Sequence, residues 1–407
     1  MLHRRRLLVP AALALLAACD RPPTAPPTAP ARAQTAQGAV PVIAPQDLGV
    51  LPGDDRSEAT YITEDGVVYG NSYPPGSNTP RFFRWTSGSG VMTQVSAIPR
   101  PPSPPLPTLP APSPYVRTVP TAANAKGEAT GVLCWTGCFT SFYDPTDQGG
   151  HVFRYSAGAG VRELDTRRQE PASANIPEAS SHGWSINRWG HVAGLWWAFD
   201  DSELQLFLWT PVDSFHLIGP FLIENDNGDT QVNDLDQVLS HSDNNAFVWR
   251  PDLGTRELGG LCCAGELAPR GRAQQANGTL VVGEAPVPVT GGAQMHAALW
   301  RVPAVNRSAF PKVNANLYTA TSTLSLASSG GRYYQTYRAT QATAAGPYLE
   351  LVDWGDGATS RRTRSSVGGT WSQAHTYAKR GTFWVRVYVE DAQGRWGVSE
   401  HKVVITA

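Results

Sequence analysis

The sequence predicts an all-β protein, a β-propeller of about five blades followed by a β-sandwich. Three observations carry this. First, 39 Gly and 34 Pro make 73 of 407 residues, about 18% against a usual 12% or so, which favours turns and short strands over long helices. Second, a glycine-centred motif followed by an aromatic strand recurs five times through the middle of the chain. Third, the last hundred residues alternate apolar and polar side chains with the period of a half-buried strand. With 33 basic and 34 acidic side chains there is no electrostatic footprint for nucleic acid.

The N-terminus comes first. His3 to Arg6 form a charged segment, and Leu7 to Ala18 an apolar run too short to span a bilayer as a mature helix. Leu16-Ala17-Ala18-Cys19 resembles the bacterial lipobox. The resemblance implies a signal peptide over 1–19, lipidation at Cys19, and export to the periplasmic face or the cell surface, with the membrane as partner through that anchor. A second cleavage pattern stands at Ala31-Arg32-Ala33. Residues 20–45 are mostly Pro, Thr, Ala and Gln, too poor in large apolar groups to offset the entropy of ordering, and read as a disordered tether.

The repeats occupy 46–305. Their cores are Thr63 to Gly70, Asn124 to Gly131, Asn187 to Gly194, a degenerate Asn233 to Val238, and Ala276 to Gly283. Each is followed by an aromatic strand, as in Phe83-Arg84-Trp85, Phe153-Arg154-Tyr155, Phe207-Leu208-Trp209, Phe247-Val248-Trp249 and Ala298-Leu299-Trp300. The spacing predicts two strands joined by a turn in which Gly66, Gly127, Gly190 and Gly278 take positive φ, as Asp236 also can. In Phe-x-Trp both rings share one face. With a fourth strand per unit this is propeller-blade arithmetic. The fifth unit ends after Trp300 without its fourth strand, and Asp47 to Leu51 stands before the first unit as that missing strand. One terminus would then complete the other's blade and remove an open edge; an open solenoid or a sixth unit are the alternatives. Asn-x-x-Gly-x-Val-x-Gly followed by strands such as Asn245-Ala246-Phe247-Val248-Trp249 and His296-Ala297-Ala298-Leu299-Trp300 resembles the bacterial extracellular HAF repeats. That resemblance implies an exported repeat protein and supplies no catalytic residues. Pro99 to Pro114, with nine prolines, reads as a stiff loop between blades, or as a ligand for a proline-recognising partner.

Residues 306–407 form the sandwich. Phe383, Val385, Val387 and Val389 fall on one strand face, with Trp384, Arg386 and Tyr388 opposite. Trp354-Gly355-Asp356-Gly357, His375-x-Tyr377 and Asp391-x-x-Gly394 resemble a PKD domain, an Ig-like sandwich of bacterial surface proteins. The resemblance implies a spacer or interaction module. Asp353, Asp356 and Asp391 are candidate Ca²⁺ ligands through their oxygens, with Asp-Gly turn hydrogen bonds as the alternative.

No nucleophile elbow, His-Glu-x-x-His helix, Walker loop or dinucleotide fingerprint is present. Glu224 to Asp229 has the composition of a Ca²⁺ loop without its spacing and reads as a turn. Cys134, Cys138, Cys262 and Cys263 suggest two disulfides in an exported chain, in any of three pairings. Trp184, Trp189, Trp196 and Trp197 crowd the third repeat, where exposed rings would stack on sugars or proteins; packing between blades is the alternative. The expected function is a lipid-anchored, non-catalytic binding or structural protein of the cell envelope that needs no cofactor and recognises a polysaccharide or protein. The alternative is a propeller hydrolase or lyase acting on an extracellular polymer, with the sandwich as accessory.

Overall fold

The computed structural model describes residues 41–134, 150–165, 179–198, 204–212, 214–220, 230–241, 246–260, 267, 269–275, 278–290, 292–305, 310–314, 321–340, 346–392 and 395–407. Strands β1 (Val42–Ile43) and β2 (Pro45–Gly49) precede five blades. Blade 1 holds β3 (Arg56–Ile62), β4 (Val68–Tyr73), β5 (Arg81–Trp85) and β6 (Thr93–Gln94). Blade 2 holds β7 (Arg117–Ala123), β8 (Ala129–Cys134), β9 (Gly150–Ser156) and β10 (Gly160–Glu163). Blade 3 holds β11 (Ala179–Ile186), β12 (Val192–Ala198), β13 (Leu204–Thr210) and β14 (Ser214–Pro220). Blade 4 holds β15 (Gln231–Val232), β16 (Val238–His241), β17 (Ala246–Arg250) and β18 (Gly254–Leu258), and blade 5 holds β19 (Arg270–Gln274), β20 (Leu280–Val289) and β21 (Gly292–Arg301).

Blade 5 takes its fourth strand from the N-terminus, as the sequence suggested. β2 pairs antiparallel with β21, Pro45 opposite Trp300 and Asp47 opposite Ala298, two residues earlier than the expected Asp47–Leu51. The chain also lays β1 parallel along β18, so the N-terminal segment covers the outer edges of two successive blades.

The repeat motif has a physical explanation at both of its glycines. The first sits in the turn between the blade's inner two strands at φ between 68° and 81° in four blades, and Asp236 takes φ 59° in the fourth. The second lies opposite a β-bulge in the innermost strand, which drives a carbonyl into the place of a side chain. A Cβ on Gly70, Gly131, Gly194 or Gly283 would meet the oxygen of Glu58, Val119, His182 or Arg270 at 2.0, 2.0, 1.7 and 1.8 Å. Blade 4 carries Ser240 at this position.

The same turns join the blades. The Asn124 side-chain amide donates to the Asn187 carbonyl at 2.9 Å, Asn187 to that of Asn233 at 2.9 Å, Asn233 to that of Gln275 at 3.0 Å, and Gln275 to that of Thr63 at 2.8 Å. Apolar layers fill the same four junctions, as with Val152, Val192 and Phe207 between blades 2 and 3 or Val282, Phe83 and Trp85 between blades 5 and 1. The junction of blades 1 and 2 is built differently. Blade 1 presents Tyr69, Asn71 and Arg84 where blade 3 presents Ala193, Leu195 and Leu208. Leu109 and Ala111 of the proline-rich segment instead cover Tyr115, Leu133 and Phe153 of blade 2, and Arg100 donates to the Thr60 carbonyl of blade 1 at 2.9 Å.

The sandwich comprises β22 (Lys312–Asn314), β23 (Thr321–Ser325), the short α1 (Leu326–Ser329), β24 (Arg332–Thr340), β25 (Tyr348–Asp353), β26 (Thr359–Arg364), β27 (Thr370–Thr376), β28 (Gly381–Glu390) and β29 (Trp396–Thr406). Its sheets run β22-β24-β27 and β23-β29-β28-β25-β26. Trp354, Tyr377, Phe383, Val385 and Val387 meet in its core, and the Tyr377 hydroxyl donates to the Trp354 carbonyl at 2.9 Å. The sequence pattern makes β28 half-buried. Its second face is buried too, because Arg386 and Tyr388 press on the propeller: Arg386 pairs with Glu128, Arg154 with Asp353, and Val212 packs on Leu351 and Tyr388. The sandwich is therefore docked on blades 2 and 3 and does not hang as a spacer.

Candidate functional site

The docking leaves a groove of about 610 Å³ between the turns of blades 3 and 4 and the sandwich. Its propeller wall begins at the turn after β11. The Asn187 carboxamide oxygen accepts the backbone N–H groups of Trp189 and His191, both at 3.0 Å, which fixes the turn. The Trp189 indole donates to the Asp234 carbonyl at 3.0 Å, and cations flank the ring, with Arg188 at 4.3 Å and Lys126 at 5.5 Å from its centroid. On the sandwich side Trp396 stands edge-on to His191 at 5.1 Å, and the Tyr388 hydroxyl donates to the Trp189 carbonyl at 3.2 Å. Leu235 and the buried Arg250 complete the propeller wall, and Lys312 and Arg395 stand on the sandwich side. Burial raises the carboxyl of Asp234 above its usual range.

The four tryptophans singled out in the sequence do not form one platform. Trp184, at the β11 bulge, packs with Ala193, Leu195 and Phe247 toward blade 4, whereas Trp196 of β12 packs with Val152, Ile186 and Phe207 toward blade 2. Opposite faces of one sheet cannot stack on one ligand. The Trp197 side chain lies outside the described residues, and of the three that are described Trp189 alone lines the groove. The interblade alternative thus holds for Trp184 and Trp196. Trp396, which the sequence reading passed over, takes their place. Its position just after Asp391-x-x-Gly394 was visible, but the wall it meets belongs to another part of the chain.

The three aspartates do not share an ion. Asp353 lies opposite Arg386 in the β25–β28 register while Asp391 follows the far end of β28, about 17 Å along the strand at 3.4 Å per residue. Asp353 accepts the Gly355 N–H at 3.0 Å and pairs with Arg154; Asp356 accepts the Ala358 N–H at 3.1 Å and meets His375 at 2.7 Å; Asp391 accepts from Arg395 at 3.0 and 2.7 Å. These are turn and ion-pair carboxylates, and no group of three metal-ligating side chains occurs among the described residues. Cys134 ends β8 fully buried and is disulfide-bonded. Cys138, Cys262, Cys263, the Glu224–Asp229 loop, Cys19 and residues 20–40 of the expected tether lie outside the described residues, whereas its last residues, 41–45, are not disordered but carry β1 and the start of β2, held by backbone pairing to β18 and β21. No helix among the described residues is long and apolar enough to cross a membrane.

A second cleft, of about 470 Å³, opens where β3 and β19 begin. Both strands run from it toward the turn ladder, so it lies at the opposite end of the strands from the sandwich groove. Its floor joins blades 5 and 1. One Nη2 of Arg272 reaches Glu58 at 3.9 Å and Glu284 at 3.4 Å, while Tyr73 and Asn71 donate to Glu58 at 2.7 and 2.9 Å. Burial raises Glu284 above the usual carboxylate range, and burial beside Glu58 pushes Tyr73 up to about 12. A guanidinium bridging both carboxylates ties them together as an interblade ion pair.

No family model matches the chain, and no curated protein matches it. Among solved structures it is similar to the PKD domain of an M14-like peptidase from a Thermoplasmatales archaeon, with 21% identity over 24% of this chain and 94% of that one, at a TM-score of 0.20. It is also similar to the extracellular domain of a one-component system from B. thetaiotaomicron, with 7% identity over 92% and 59% of the two chains and a TM-score of 0.21. Virginiamycin B lyase from Staphylococcus aureus gives 11% identity over 87% and 98%, with a TM-score of 0.24. Likenesses of this strength carry no functional argument.

Proposed function

We propose that the chain is an exported, lipid-anchored, non-catalytic recognition protein of the bacterial cell envelope that binds a polysaccharide or protein in the groove between propeller and sandwich. The observation that carries this reading is the convergence of Trp189 and Trp396 on one cavity, with Asp234, Lys312 and Arg395 around it. Ligand sites favour junctions of this kind, where aromatic surface and a few polar groups meet in a concave space of about 300–1,000 Å³. Anchorage and export rest on the charged, apolar and Cys19-terminated N-terminus. The test measures binding of the full chain to purified envelope and extracellular polysaccharides and to envelope proteins, with Trp189→Ala and Trp396→Ala variants whose folding is checked by circular dichroism. Saturable binding lost in both variants supports the reading. Binding that both folded variants retain overturns the groove as its site.

A further inference from the structure

We infer that the cleft at the start of β3 and β19 is a second ligand site, built for a carboxylate-bearing sugar of the uronic-acid class. The inference extends recognition to a separate place on the molecule and does not depend on the sandwich groove.

The walls decide the chemistry. Arg270 lies directly opposite Glu284 in the β19–β20 register, its side chain is 44% exposed, and its nearest acidic contact is Glu284 at 3.8 Å, beyond hydrogen-bond reach. The planar fork of donors is thus presented to the cleft, the geometry that takes a carboxylate two-pronged. The carboxylates below it have other hydrogen-bond partners, Glu284 in Arg272 at 3.4 Å and Glu58 in Tyr73 and Asn71. Glu284 stands beside the Arg270 guanidinium without saturating it. Asp55 lines the cleft, and its buried Oδ1 has no hydrogen-bond partner. Arg56 lies across the Tyr73 ring at 4.1 Å, and Gln294 adds an amide from the opposite wall.

That wall exists because blade 5 is unlike its neighbours. β20 and β21 each run ten residues, and their overhang brings Ala293, Gln294 and Met295 over the cleft. Donors and acceptors therefore both line the cavity. A phosphate dianion offers acceptors and at most one hydroxyl donor, with two negative charges that would face Asp55, Glu58 and Glu284. A simple cation would face Arg56 and Arg270. A sugar acid offers hydroxyls that donate to Asp55 and accept from Gln294, and a single carboxylate for Arg270.

The experiment uses the full chain and calorimetric titration with tetragalacturonate, its methyl ester, oligomannuronate, hyaluronan oligomers and inorganic phosphate. Expected is saturable binding of at least one uronate oligomer, at least tenfold weaker for the esterified form where tested and in Arg270→Gln, weakened severalfold in Gln294→Ala, reduced by salt, and unchanged in Trp189→Ala. Gln294 stands outside the ion-pair floor, so its loss reads the site without disturbing the interblade packing. The inference is overturned by absence of saturable binding to every uronate, by equal affinity for acid and ester, by full affinity in Arg270→Gln, or by phosphate binding as tightly as the sugars. Loss of uronate binding in Trp189→Ala overturns the separate location. Polysaccharide binding that depends on Trp189 and Trp396 stays a distinct outcome, scored on the groove variants.

Discussion

Arg386 of the sandwich and Glu128 of blade 2 form a two-pronged ion pair, Nη1 to Oε1 and Nη2 to Oε2, each at 2.8 Å. Arg386 is fully buried, its Nε reaches Glu400 at 2.8 Å, and Arg154 adds a second guanidinium to Glu128 at 2.8 Å. Charges placed this far from water are tolerated only when every partner is present. The pair ties the sandwich to blade 2.

Arg386→Ala should destabilise the chain by about 3–5 kcal/mol, because it leaves buried Glu128 with Arg154 as its only guanidinium, Glu400 with Lys126 alone, and a cavity where the guanidinium lay. Urea titration followed by tryptophan fluorescence reads this. A loss under 1 kcal/mol would show that the interface is wetter and looser than its geometry.

The same pair sets an acid limit. The flanking guanidinium groups hold Glu128 far below the usual carboxylate range despite its burial. A depressed folded value contributes stability that is complete above the ordinary carboxylate pKa of about 4.3 and is lost as pH falls toward the folded value. Glu128→Gln should therefore be much less stable than the natural chain at pH 7, and the gap should narrow steadily below about pH 4. Stability curves for both proteins at stepwise lower pH check this. A constant gap would contradict it.

A separate window belongs to histidine. Burial pushes His182 down to about 3 and lowers His401 as well. His182 stays neutral in the fold and gains a proton on unfolding, and the lowered His401 adds to the same effect, so stability should fall as pH drops below about 6.5. The slope is about 1.4 kcal/mol per pH unit for each proton taken up. A chain whose stability is flat between pH 6.5 and 4.5 would show that these rings are hydrated.

Calcium should leave stability unchanged. Asp353, Asp356 and Asp391 each spend their oxygens on turn N–H groups, an arginine or a histidine, and the first and last lie at opposite ends of a strand pair. Thermal unfolding in millimolar Ca²⁺ and in chelator should coincide; a rise with Ca²⁺ would require a site elsewhere in the chain.

The propeller was legible because its information is local and repeated. Positive φ at Gly66, Gly127, Gly190, Gly278 and Asp236 follows from turn chemistry, and the shared face of Phe83 and Trp85 follows from strand period. Completion of blade 5 by β2 was readable as one strand missing at one end and one spare at the other. The functional surfaces were not legible, since each joins residues remote in sequence. Trp396 meets His191, and Arg272 meets Glu58, only after the ring and the sandwich are assembled. Trp184 and Trp196 misled for a related reason: tryptophan density marks burial between blades as well as exposure, and only the bulge in β11 and the alternation in β12 sort one from the other.

The two glycines of the repeat should respond differently to substitution. Gly127 has open space around its missing side chain, so Gly127→Ala meets only the left-handed strain of its φ of 73°, about 1–2 kcal/mol. Gly194 faces the His182 carbonyl, whose oxygen lies 1.7 Å from where a Cβ would stand, with the Phe207 ring at 2.9 Å behind it. Backbone cannot swing aside as a flexible side chain can, so Gly194→Ala must open the bulge, shift β11 and disturb the layer against blade 2. That cost should exceed the usual 1–3 kcal/mol of overpacking. Ser240, at the matching place in blade 4, offers the control: Ser240→Ala keeps a Cβ where one is already accommodated and gives up the contact with Thr230 at 3.0 Å, a loss of about 1 kcal/mol. Denaturant midpoints of the three variants should fall in the order Ser240→Ala, Gly127→Ala, Gly194→Ala. Equal losses at Gly127 and Gly194 would mean that the close approach of carbonyl and glycine is not what the motif preserves.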